Sequence, residues 1–216
     1  DDLGTPGAAT SIEPVNGNVV IDEIAWMGTE ASATDEWMVL YNTTNKHISL
    51  EGWSMYDDDG KIDMTFTGSI LIGGYYLIED REEATDVPGD LIDNSINLDD
   101  AGEQLKLYAG PDNTYTLIDT ANSSTGAWDG GSASSSYTME KKTPTNAGTI
   151  AANWGTNDGV TRIGKDAGGN ALNGTPKARN SVFVAPTGWW SQATKTEFEE
   201  IGSVRSNVDT AVSPHN

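Results

Sequence analysis

The chain has 216 residues, room for one large domain or for one of ordinary size with extensions. Its 33 acidic against 12 basic side chains leave a formal charge of −21, a surface that repels phosphate backbones and anionic membranes and attracts cations. With no cysteine it has no disulfide, thiolate metal site or cysteine nucleophile, and no run of about 18 apolar residues offers a membrane span.

Residues 1–18 are polar and read as an N-terminal extended tail. From there short β-rich runs follow one another, at 19–27, 36–42, 47–56, 62–66, 75–79, 104–108 and 116–120. Gly-bearing turn pairs separate them, among them Asn16-Gly17, Asp59-Gly60, Gly73-Gly74 and Gly110-Pro111. In the second run Trp37, Val39 and Tyr41 alternate with Glu36, Met38 and Leu40, so apolar residues stand on both faces and the strand is expected at the centre of its sheet. Residues 122–136 and 142–165 read as loops, each holding one Trp (Trp128 and Trp154). Beyond Ser181 come Val182-Phe183-Val184 and Trp189-Trp190. Phe198, Ile201, Val204 and Val208 then recur at the spacing of a short amphipathic helix. The pattern predicts an all-β sandwich over 19–181, with a C-terminal extension over 182–216.

The motifs carry a family resemblance. Val19-Val20-Ile21-Asp22-Glu23-Ile24-Ala25-Trp26-Met27-Gly28 and Asp35-Glu36-Trp37-Met38-Val39-Leu40-Tyr41-Asn42 resemble two strands of bacterial lamin tail domains. Leu50-Glu51-Gly52-Trp53-Ser54-Met55-Tyr56-Asp57, the segments 74–79 and 102–107, and Tyr137-Thr138-Met139-Glu140-Lys141 follow in the family's order. Gly174-Thr175-Pro176-Lys177-Ala178-Arg179-Asn180-Ser181 is similar to its closing motif. The resemblance implies an immunoglobulin-like β-sandwich without catalytic residues of its own, in a bacterial protein that is exported and extracellular or at the cell surface. Glu23, Trp26, Trp37, Tyr41, Trp53 and Glu140 are its family-motif and core positions. The chain departs from the family pattern at Asp22, where Asn is usual, at Val39, where an acid is usual, and at Lys177 and Arg179, where Gly and Pro are usual. The start at Asp1 without Met fits a processed mature form and equally a trimmed chain.

Trp37 and Trp53 at strand centres are expected in the core, because a sandwich needs large buried area between its sheets. Trp26 is expected in the core or over a loop. Trp128 and Trp154 are expected to pin their loops, with sugar stacking as the alternative. Asp57, Asp58 and Asp59 gather hard oxygen ligands on a turn and are the candidate calcium ligands, although residues 65 and 66 are Thr and Phe and the full calcium-loop spacing is missing. A solvated turn is the plainer reading, here and at Asp99-Asp100. His47 and His215 have no nucleophile motif beside them, and no cofactor is required. The expectation is a non-catalytic structural or adhesive module, self-associating or binding protein partners through its tails. Val182, Phe183, Val184, Trp189 and Trp190 are the interface candidates. The alternative is a carbohydrate- or calcium-dependent binding module that targets a partner enzyme.

Overall fold

The computed structural model describes residues 13–185 apart from Asp59, Ser124 and Thr125. Trp189-Trp190, the helix expected over 198–208 and residues 1–12 lie outside the described residues. No helix among the described residues is long and apolar enough to cross a membrane.

The described residues form twelve strands and two single 3₁₀ turns, Ala133–Ser135 and Ala151–Asn153. The strands are β1 (Val19–Ala25), β2 (Trp37–Asn42), β3 (Ile48–Ser49), β4 (Ser54–Tyr56), β5 (Asp63–Thr65) and β6 (Ser69–Ile70). They continue with β7 (Tyr75–Glu79), β8 (Leu91–Ile92), β9 (Leu105–Tyr108), β10 (Leu117–Ala121), β11 (Met139–Lys141) and β12 (Trp154–Thr156). A six-stranded sheet runs β12-β11-β1-β2-β7-β8 and a four-stranded sheet runs β10-β9-β4-β5, with β3 and β6 as a separate pair. Every pairing is antiparallel except β7 with β8. This is the all-β, immunoglobulin-like sandwich expected from the sequence.

The core fills the space between the two larger sheets. Ile21, Ile24, Met38, Leu40 and Ile78 from one meet Met55, Met64, Leu105, Leu107 and Ile118 from the other. Because β2 lies between β1 and β7, its second face is also covered: Trp37 and Val39 join Ala25 and Leu77 in a smaller apolar cluster on the far side of the sheet. Removing the Trp37 ring, 1% exposed, empties that cluster. Trp37→Ala is expected to cost about 3–5 kcal/mol in a denaturant titration.

One irregularity prepares the site. Ile21 pairs with Leu40 and Glu23 with Val39, so Asp22 is the extra residue of a β-bulge. Strict alternation would send Ile21 and Ile24 to opposite faces; the bulge lets both enter the core and leaves Glu23 facing away from it.

Two expectations need correction, and some strands had no counterpart among them. The strand expected over 47–56 is two strands, because Leu50 to Trp53 form a turn whose Gly52 has φ +74°. The stretch 142–165, expected as loop, contains β12, which completes the large sheet by pairing with β11. Two-residue strands such as β6 and β8 escaped notice, since they are too short to show a period.

Candidate functional site

Glu23 and Glu140 are cross-strand partners on β1 and β11, and both are fully buried. Two carboxyls side by side in a low-dielectric place persist only if donors converge on them. Thr138 and Asn157 supply two of the donors, and the rest come from the closing segment 173–182, which lies across the sheet as a strap. Glu23 Oε1 accepts from the Thr138 hydroxyl (2.7 Å) and the Thr175 amide (2.8 Å). Glu140 Oε1 accepts from Asn157 Nδ2 (2.6 Å), and its Oε2 accepts from the Ser181 hydroxyl (2.6 Å) and the Val182 amide (3.1 Å). Asn180 Nδ2 donates to two carbonyls of the sheet, those of Asp22 (2.8 Å) and Lys141 (2.9 Å).

Between the two carboxyls sits the Thr175 hydroxyl, 3.1 Å from Glu23 Oε2, 3.4 Å from Glu140 Oε1 and 3.3 Å from Asn180 Oδ1. Burial, and then the neighbouring Glu140 carboxyl, push Glu23 well above the usual carboxylate range, against the hydrogen bonds from Thr138 and Thr175. A hydroxyl has one proton to give. With Glu23 protonated, its proton goes to Thr175 Oγ and the Thr175 proton passes on toward Glu140 or Asn180, so the whole set is satisfied.

The strap's sequence follows from this geometry. A Cβ on Gly174 would stand 2.7 Å from the Trp37 ring, 2.8 Å from Glu23 Oε1 and 2.8 Å from Thr138 Cγ2, so no side chain fits there. Gly174→Ala is expected to lift the strap and cost about 1–3 kcal/mol, with faster proteolysis across 173–182 than in the unaltered protein. Lys177, standing where the family usually has Gly, adopts φ +57°, the left-handed region that Gly enters without strain. Its ammonium meets Asp90 at 2.9 Å.

A second buried group lies beside the first. Lys141, 0% exposed, places Nζ 2.7 Å from Asp119 Oδ2 and 5.2 Å from the centre of the Trp154 ring. Asp119 Oδ2 also accepts the Ile21 amide (2.8 Å), which β11 leaves unpaired because its ladder with β1 begins at Glu23. Burial raises Asp22 to about 7; Lys141 opposes this, and Glu140 and Asp119 add to it. Its Oδ1 is buried without a hydrogen-bond partner.

The other aromatic positions serve the frame. Trp26 is buried, donates Nε1 to Gly130 O (3.0 Å) and stacks on Trp128 at 6.1 Å, whose own Nε1 holds Asp99 O (2.8 Å). Trp154 Nε1 holds Gly148 O (2.7 Å). Trp53 is buried in the core, and the half-buried Tyr41 packs on Tyr75 at 4.9 Å.

Asp57 folds back on its own turn, accepting the Gly60 amide on Oδ1 (2.6 Å) and those of Lys61 (3.1 Å) and Ile62 (2.9 Å) on Oδ2. Asp58 pairs with Lys106 at 2.5 Å, and Asp59 lies outside the described residues. Among the described residues no three His, Asp or Glu side chains converge on one metal position. Asp99 borders an open groove of about 580 Å³ shared with Glu36, Lys61, Asp80, Arg81 and Asp100. His47 is exposed, and His215 lies outside the described residues.

Of the residues singled out from sequence, the structure brings together Glu23, Glu140 and the strap end at Val182. Phe183 follows with its ring against the Arg179 guanidinium at 4.9 Å, and then the exposed Val184. The polar frame around the two glutamates (Thr138, Asn157, Thr175, Asn180 and Ser181) was not foreseen, nor was the Lys141–Asp119 pair. Asn and Thr within the closing motif were the available signal.

The lamin tail domain family model matches residues 13–163, most of the chain. The chain belongs to the lamin tail domain family. The matched span holds Glu23 and Glu140, and the sandwich continues past it through the strap that covers them. No curated protein matches the chain. Lamin tail domains are non-catalytic, immunoglobulin-like structural and protein-interaction modules, and in this one Glu23 and Glu140 are buried.

Proposed function

We propose that this lamin tail domain is a non-catalytic structural or adhesive module of an exported, extracellular or cell-surface bacterial protein, and that it self-assembles through its terminal segments. The observation that carries this reading is the use made of the chain's chemistry. The paired carboxyls Glu23 and Glu140 lie buried beneath the strap and are occupied by amide and hydroxyl donors. Held in this way, they tie the strap to the sheet, which is an architectural use. The strap is held to the sheet as far as Val182, whose amide is bound to Glu140. The residues that follow would pair with a neighbouring copy's sheet edge, with Trp189 and Trp190 supplying the aromatic anchors that dominate such contacts.

Truncation after Ala185 leaves the strap intact. It is expected to give a folded monomer that no longer assembles, read by light scattering and circular dichroism. Unchanged assembly would sink the tail reading.

The groove beside Asp99 favours a second reading, a carbohydrate- or calcium-dependent module that carries a partner enzyme to its target. Its acidic and basic side chains suit a polar or cationic ligand. Calorimetric titration with calcium and with a glycan panel tests it, and absence of heat in both removes it.

A further inference from the structure

The chain has no cysteine, yet one pair of side chains is placed to join the two sheets covalently. Lys141 lies on β11 of the six-stranded sheet and Asp119 on β10 of the four-stranded sheet, with 2.7 Å between Nζ and Oδ2. The lysine side chain is wholly shielded from water and that of the aspartate nearly so (0% and 8% exposed). We propose that Lys141 and Asp119 condense spontaneously to an intramolecular isopeptide bond that staples the sandwich.

The chemistry needs no outside reagent. A proton passes from the Lys141 ammonium to the Asp119 carboxylate, leaving an amine and a carboxylic acid in contact. The amine lone pair attacks Cγ, the new C–N bond forms and one C–O bond breaks. That oxygen departs as water, carrying the acid proton and one proton from nitrogen. Ammonium and carboxylate thus become one amide and one water, with no oxidant or reductant.

Four features favour the reaction over a lasting ion pair. Exclusion of water keeps the two groups in direct contact and leaves no solvent between nitrogen and carboxyl. Lys, unlike Arg, becomes a nucleophile once it loses its proton. The Asp119 carboxyl is held in place by the Ile21 amide, and the Trp154 ring stands on the Lys141 ammonium, so both partners stay within reach of one another.

The fourth feature is Asp22, next in the chain to Ile21. It is buried, electrostatically coupled to both reacting groups, and carries an oxygen with no hydrogen-bond partner. Burial raises its carboxyl to about 7, so it holds a proton more readily than an exposed aspartate. A proton-exchanging carboxyl is thus held beside the pair, and Asp22 is assigned as the positioning acid of the condensation.

Intact mass measurement of the denatured full chain tests the proposal. The expected mass is one water below that of the sequence, and peptide mapping should yield a branched peptide joining the Asp119 and Lys141 segments. Lys141→Arg retains the ion pair but should restore the full mass. Asp22→Asn, freshly purified, should contain a fraction still at full mass. Full sequence mass in the unaltered protein overturns the proposal. So does a lost water that maps to an Asp-Gly step, such as Asp158-Gly159, and is opened by hydroxylamine, because an isopeptide survives that treatment. Complete closure in Asp22→Asn at the unaltered rate would remove Asp22 from the assignment.

Discussion

Glu140→Ala is expected to destabilise the domain by on the order of 3–5 kcal/mol, among the largest effects of any single substitution. The glutamate is 0% exposed, and four donors end on it: Asn157 Nδ2, the Ser181 hydroxyl, the Val182 amide and, more distantly, the Thr175 hydroxyl. Alanine leaves those donors buried without an acceptor and opens a void besides, and each orphaned polar group costs roughly 1–3 kcal/mol. The melting temperature should fall by roughly 10 °C for a domain of this size. Hydrogen exchange at the Thr175 and Val182 amides should rise far more than exchange within β9. Glu140→Gln preserves the shape and one accepting oxygen and should cost about half as much. A Glu140→Ala protein within 1 kcal/mol of the original would show that the strap is held by packing alone.

The second large effect is a stability that declines as pH rises. Burial raises Asp22 and Glu79 to about 7 and Glu36 to about 8, and it pushes Glu23 well up. In each case the folded protein holds its proton more tightly than the unfolded chain, whose carboxyls titrate at about 4. The stability that these groups contribute is therefore complete below pH ~4 and is lost as pH rises through 7 to 8. Self-repulsion of a chain at −21 acts in the same direction. After discounting Glu36 and Glu79 for solvent reach, a loss of on the order of 2–4 kcal/mol between pH 5.5 and 8.5 is expected in urea titrations. Glu36→Gln removes one contributor. It keeps an acceptor for the Leu98 amide, held at 2.9 Å, and escapes the repulsion of Asp80, Asp100 and Glu103. It should gain about 1 kcal/mol at pH 8.5 and nothing at pH 5. A stability maximum above pH 8 would contradict the whole set.

These two expectations involve charged residues that a sequence reader assigns to the surface, because an isolated buried charge is prohibitively costly. Here the carboxyls are tolerable because Thr138, Asn157, Thr175 and Ser181 arrive from segments 17 to 152 residues away from the glutamates they serve. Spacing along the chain holds no record of that convergence. The same is true of Lys141 and Asp119, which belong to different sheets.

By contrast, whatever depends on local period was open to reading. Apolar residues on both faces of 37–42 placed β2 in the middle of its sheet, and turn residues bounded the expected runs apart from 47–56, which a turn divides. Trp37 and Trp53 were expected in the interior from their size and as strand centres; both are buried, Trp37 at the start of β2 and Trp53 in the turn before β4. The motifs from Val19 to Ser181 pointed to the lamin tail family, whose model matches residues 13–163. The sequence by itself therefore determined the all-β architecture and the family, since alternation, turn chemistry and side-chain bulk act over a few residues. Only the tertiary structure decided which strands pair, that a bulge at Asp22 turns Glu23 away from the core, and that the closing segment becomes a strap over two buried glutamates. Those outcomes rest on hydrogen bonds between groups remote in the chain, and their energy exists only once the sheets have brought the partners together.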